Sequence, residues 1–206
     1  MKSRGHNYFR FLPIIGILIF VMLYLVAASL YPGGSSAFPE KDGFDWINSY
    51  WCNLTESYAI NGKVNTARPY ALSGVVILCI SLTHFFFLFP RYFELKSPWD
   101  TIVAFSGLLA CIFALLIHTE LHDIMAIMAS VFGSFTVIAL FFGLRKSGWY
   151  HFIWTGVVCL ILVAGNGYVY FSRNYAELLP LIQKITFAIV LLWFLSLNFT
   201  FRPNSE

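Results

Sequence analysis

Six runs of about twenty apolar residues fill most of this chain, and a run of that length has few ways to fold. They cover 11–30, 69–89, 99–118, 123–144, 152–171 and 181–201. A helix of that length crosses the roughly 30 Å hydrocarbon core of a bilayer. It also satisfies its backbone donors and acceptors within itself, which lipid cannot do for it. Composition removes the soluble alternative. Of 206 residues, 59% are hydrophobic, 19% aromatic and 11% charged, against about 25% charged in a soluble domain. The expected fold is an all-α integral membrane protein, a six-transmembrane-helix bundle forming one domain over 1–206. A net charge of +3 offers no electrostatic support for a nucleic-acid partner, so membrane lipids are the expected partners.

Lys2, Arg4 and Arg10 precede the first run in the manner of a signal peptide. The run exceeds the usual apolar core of about 7–15 residues, so a retained helix is expected, with cleavage after Val26 to Ser29 as the alternative. Basic residues orient the bundle. Lys2, Arg4, Arg10, Arg91, Lys96, Arg145, Lys146 and Arg202 fall at one end. Lys41, Lys63, Arg68, Arg173 and Lys184 fall at the other. Both termini are expected in the cytoplasm of a multi-pass cell-membrane protein, with the loop at 31–68 outside.

That loop is the one long polar segment. Disordered linkers are poor in aromatics, whereas Phe44, Trp46, Tyr50, Trp51 and Tyr58 lie here, so the loop is expected to fold. Residues 45–56 read as a short amphipathic helix lying on the bundle or in the interface. Asn53-Leu-Thr55 matches a glycosylation sequon. Of the four cysteines, Cys79, Cys111 and Cys159 lie in apolar runs and only Cys52 is in the loop, so no disulfide framework is implied.

Within the runs, Ser106, Ala110 and Ala114 recur at four-residue spacing, as do Ala126, Ser130 and Ser134. Small residues at this spacing let backbones approach in lipid, and the short connection between these helices predicts a tight antiparallel hairpin. That connection carries His118-Thr-Glu120-Leu-His122-Asp123. If it stays helical, His118 and His122 share a face and suit one zinc ion, with Asp123 as third ligand. Glu120 points elsewhere on a helix, but in a tight turn it swings inward as the candidate general base. The plainer reading is interfacial solvation, with Asp123 as an N-cap. Asn166, between Gly165 and Gly167, either makes one buried amide bond between helices or lines a polar cavity. Lys184, one turn into the last run, either snorkels to the interface or closes an outer pocket. Asp45, Asn53, Glu56 and Arg68 complete the candidate ligand-binding set on that side.

Tyr31-Pro-Gly-Gly-Ser35, Gly43-Phe-Asp-Trp46, Asn48 to Leu54, Asn61-Gly62 and Asn65 resemble the first outer loop of a prokaryotic six-helix membrane family, domain of unknown function 998. That family is similar to the eukaryotic six-helix proteins of GPI-anchor lipid remodelling and stress-linked membrane regulation. The resemblance implies the six-helix order. Where the family has Asp before a Leu, this chain has Asn53, so a carboxylate role is not carried over. Three functions remain open. The first is binding or sensing of lipid, or another membrane-associated ligand, in an extracytoplasmic polar pocket. The second is a metal-dependent lipid hydrolase or transferase using His118, His122 and Asp123. The third is a small transporter.

Overall fold

The computed structural model of the chain describes residues 11–93, 95, 98–172 and 174–200. Lys2, Arg4, Arg10, Lys96, Arg173 and Arg202, used above for orientation, lie outside the described residues, as does the end of the sixth run at 201. Six helices follow in order: α1 (Leu12–Leu30), α2 (Arg68–Tyr92), α3 (Trp99–Leu115), α4 (His122–Lys146), α5 (Tyr150–Ser172) and α6 (Leu179–Thr200). Short 3-10 turns at Cys52–Thr55 and Ala176–Leu178 precede α2 and α6. Among the described residues, the extended pairing is confined to two isolated bridges, Gly33 with Asp42 and Tyr58 with Val64.

The helix starts follow local chemistry. Pro13 and Pro69 sit in the first turns of α1 and α2, where a missing N–H costs no helical bond. The helices are apolar on all sides. Leu18 and Met22 of α1, Phe105 of α3, Phe135 of α4, Ile161 of α5 and Leu192 of α6 are all exposed. Scattered exposed leucines are ordinary in soluble proteins, but an apolar exterior on helix after helix is not. α1, α2, α4, α5 and the run Ala176–Thr200 containing α6 are long and apolar enough to cross a membrane.

α3 is shorter than the expected 99–118. Its 17 residues rise about 25 Å at 1.5 Å each. The helix closes when the Leu116 N–H bonds to the Phe113 carbonyl at 3.0 Å, and Thr119 N–H to Leu116 continues the tighter turn. Residues 116–121 therefore form turns rather than helix.

Each helix packs against the next in the chain, and α6 returns to α1. α3 and α4 form the expected antiparallel hairpin. Ser106 and Thr136 are hydrogen-bonded at 2.8 Å, and the Phe113 and Phe132 rings stack at 5.5 Å. The small residues of α4 at this contact differ in part from those expected. Ser130 is exposed, and Gly133 approaches Ala110 instead. A three-residue step from Gly133 to Thr136 follows the seam. The centre of the bundle is aromatic. Phe85 and Phe86 of α2 meet Phe194 of α6 edge-on at 5.4 and 5.7 Å.

Gly107 of α3 lies against this core. A methyl group there would sit 2.2 Å from the Phe86 ring and 2.9 Å from its Cβ, so the ring cannot swing clear. Gly107→Ala is expected to cost about 1–3 kcal/mol by overpacking. Gly165→Ala on α5 meets nothing within 4 Å and gains helix propensity, so it leaves stability level or higher. Thermal melts of the two variants in one detergent check the pair, and equal melting temperatures would contradict the α2–α3 packing.

Candidate functional site

The loop at 31–67 folds into a cap over one end of the bundle, and its polar residues build that cap. The chain crosses itself at Gly34, which donates to the Lys41 carbonyl at 2.7 Å while Asn61 N–H bonds to Gly33 and the Asn61 amide to Pro32. Gly34 has φ +88°, and a Cβ there would lie 2.6 Å from the Asn61 nitrogen and 2.7 Å from the Pro39 oxygen. Only glycine fits a positive φ against two stretches of backbone.

Asp45 organises the next segment. Its Oδ1 accepts the N–H groups of Ile47 and Asn48 at 3.0 and 3.2 Å, and its Oδ2 accepts Lys41 Nζ at 2.9 Å and Asn48 Nδ2 at 3.0 Å. The hydrogen bond from Lys41, then that from Asn48, holds the Asp45 carboxyl well below the usual carboxylate range. The folded pKa is lower than the unfolded one, so this stabilisation is complete above the ordinary carboxylate range and is lost as pH falls through and below it. Proteolysis of the loop is therefore expected to accelerate below about pH 4, and Asp45→Asn to remove most of that acid dependence.

The amphipathic helix expected at 45–56 does not form. Asp45 accepts the Ile47 and Asn48 N–H groups as an N-cap would, but the Ser49 carbonyl, which a helix would give to Asn53 N–H, is taken by Lys184, and Asn53 N–H turns to the Tyr50 carbonyl at 3.2 Å. Turns run to the 3-10 turn Cys52–Thr55. Trp51 drops into an aromatic cluster instead. Its ring lies 5.1 Å from Tyr24, 5.2 Å from Phe187 and 6.2 Å from Phe20, and its backbone N–H donates to Gln183 Oε1 at 3.3 Å.

Lys184 locks the cap to α6. It is 9% exposed, and its Nζ donates to the carbonyls of Ser49 and Pro180. The Phe44 ring lies 5.6 Å from it, within cation–π range. Among the described residues no carboxylate is within ion-pair distance of Lys184, and the Asp45 charge acts on it only from farther away.

The seam between cap and α2 depends on Asn65, 4% exposed. Its Nδ2 donates to the carbonyls of Asn53, Leu54 and Glu56 at 2.9, 3.3 and 2.8 Å, and its Oδ1 accepts Ala67 N–H at 3.1 Å. Arg68 Nε donates to the Thr55 carbonyl at 3.2 Å. Asn53 is 8% exposed and its Nδ2 is buried with no partner among the described residues. The sequon nitrogen is thus closed to modification in the folded chain. The Glu56 side chain is exposed. Burial pushes the Cys52 thiol up to about 11 and raises the Tyr31 hydroxyl, which accepts Ile60 N–H at 3.2 Å.

The remaining predicted residues do not join this site. Asn166 donates to Thr186 Oγ1 at 2.6 Å and to the Leu162 carbonyl at 2.9 Å. Thr186 lies two residues from Lys184, about 200° around the helix, so Asn166 meets a different face of α6. His118 and Glu120 are exposed in the 116–121 turns. Because α3 ends at Leu115, His118 and His122 do not share a helical face. His122 Nδ1 lies 3.1 Å from Asp123 Oδ1 at the surface. Among the described residues no three His, Cys, Asp or Glu side chains are grouped to hold a metal, so the expected three-ligand set does not converge. Asp123 falls in the first turn of α4, and Leu121 occupies the cap position.

Asn65, Ser49 and Trp51 carry much of the cap, and sequence reasoning assigned them no site role. The loop's density of Asn and aromatics was a signal that it folds. No local pattern tells which amide faces three carbonyls. Comparison of the chain with protein-family models, curated proteins and solved structures finds no match.

Proposed function

We propose that this chain is an integral membrane protein of six spans that binds a membrane lipid at its capped end, outside the cytoplasm. The observation that carries the reading is Lys184. A buried ammonium at an interface normally meets a carboxylate, yet this one is solvated by two carbonyls and a ring. The capped end keeps an unneutralised positive charge beneath the loop, and Arg68 at the start of α2 is tied to the same cap through the Thr55 carbonyl. An anionic head group complements both. Arg91, Arg145 and Lys146 at the opposite ends of α2 and α4 favour that end for the cytoplasm. The loop's resemblance to the first loop of the six-helix family agrees with the span count. The hydrolase and transporter readings gain no comparable observation.

Lipid analysis by mass spectrometry of full-length protein in mild detergent tests the reading. Wild type is expected to retain bound lipid, and Lys184→Met and Arg68→Gln each to lose it at unchanged helix content. Lipid-free wild type, or lipid retained by both variants, would overturn it. Orientation is read separately by labelling Ser36→Cys on intact cells with an impermeant maleimide. Ser36 is exposed, and Cys52 stays silent because thiolate is the reactive form. Labelling only after the inner face is opened would reverse the assignment.

A further inference from the structure

We propose that a groove between α1 and the cap seats an acyl chain of a phospholipid, whose ester carbonyl accepts the Trp51 indole N–H. This rests on the lipid-binding reading above and names the part of the lipid held. The groove is lined by Val21, Tyr24, Leu25, Ala28, Trp46, Trp51 and Leu54, with a volume of about 90 Å³. That is several times the roughly 10–15 Å³ that one water needs by the same measure, room for a short stretch of chain.

Two observations identify the occupant. The first is what the groove opens onto. Its rim residues Val21 and Leu25 are exposed, and they continue into the exposed Leu18 and Met22 on the same helix. In a bilayer this surface meets hydrocarbon, so hydrocarbon reaches the groove first. The second is chemical. Trp51 Nε1 is buried and has no acceptor among the described residues, and neither does Asn53 Nδ2 in the same turn. A buried indole N–H normally finds a partner, and an unmade bond there is costly. The ring cannot turn away, because Tyr24, Phe187 and Phe20 surround it and Gln183 holds its backbone. An occupant with an apolar body and a neutral acceptor near one end meets both demands, and the ester region of a phospholipid has that chemistry. In the groove the chain lies along α1 with its ester end toward Trp51.

The test uses full-length protein in vesicles of phosphatidylcholine and anionic phosphatidylglycerol, containing a phosphatidylglycerol with a diazirine in one acyl chain. After irradiation, labelled peptides are mapped by mass spectrometry. Labelling of residues 21–28 and 51–54 is expected at several times that of Trp154 and Ile161, exposed residues of α5 that report ordinary boundary lipid. Leu25→Trp fills the groove from its exposed rim and is expected to cut the label on 51–54 at least fivefold, leaving α5 unchanged. Trp51→Phe keeps the ring and removes the donor, and is expected to halve that label or more, with melting temperature showing that each variant folds. Groove labelling no higher than α5, or unaffected by Leu25→Trp, overturns the site. Unchanged labelling in Trp51→Phe overturns the carbonyl assignment. Cross-links joining two copies through 21–54 overturn it in favour of self-association. Lipid that copurifies and depends on Lys184 while the groove stays unlabelled retains the functional reading and rejects the groove. Absence of both rejects both.

Discussion

Asn65→Asp is expected to open the cap, destabilising it by more than about 4 kcal/mol. The wild-type Nδ2 faces three carbonyls, those of Asn53, Leu54 and Glu56. An aspartate there turns three attractions into three repulsions between oxygens. Each lost bond costs about 1 kcal/mol net, and each buried acceptor left without a donor about 1–3. The new carboxylate is also buried at a position 4% exposed, which adds a desolvation cost. Asn65→Ala leaves the carbonyls unpaired without the added charge, so it should fall between wild type and Asn65→Asp. Hydrogen exchange of 31–67 measures the difference. Wild-type protection in Asn65→Asp would refute the assigned amide geometry. Acidification should recover part of the loss, because a protonated carboxyl regains one donor.

Gly34→Ala is expected to have the next largest effect, about 3 kcal/mol or more. The left-handed backbone at φ +88° costs an alanine about 1–2 kcal/mol. The larger part is steric. The added methyl would meet the Asn61 nitrogen at 2.6 Å and the Pro39 oxygen at 2.7 Å, and neither belongs to a side chain that can rotate away. The segments cannot separate cheaply either, because Gly34 N–H to Lys41 and Asn61 N–H to Gly33 join them. Gly43→Ala isolates the backbone term. Its φ is +74°, but nothing lies within 4 Å of the added methyl, so only about 1–2 kcal/mol should be lost. Rates of limited proteolysis in the loop rank the three proteins. Equal rates for Gly34→Ala and Gly43→Ala would show that the chain crossing is not closely packed.

Both effects fall in the loop, where sequence was least informative about detail. The helices were legible because an apolar run of twenty residues is read from one stretch of chain. Their limits agree with the expected ones to within two residues, except that α2 runs three residues on to Tyr92 and α3 stops three short at Leu115. α3 gave up residues 116–118 to the turn that carries the polar cluster, and with them the shared face of His118 and His122. The small-residue seam of α4 was placed only in part, because Ser130 is exposed while Gly133 and Thr136 meet α3. In the loop, aromatic content correctly announced a folded cap, but Lys184 took the Ser49 carbonyl that the amphipathic pattern had assigned to a helix.

Sequence alone determined the apolar helices, since hydropathy, proline position and backbone self-sufficiency act over one segment at a time. It also determined that the break at 31–67 must fold, because aromatic side chains gain by leaving water. Tertiary structure alone decided what the polar side chains do. Lys184 meets the carbonyl of Ser49, 135 residues earlier, and Gln183 meets Trp51 across 132. Such partners are chosen by which helix ends the bundle brings under the cap. An ammonium or amide buried there bonds whichever backbone group arrives, because leaving it unpaired costs more than any local preference supplies.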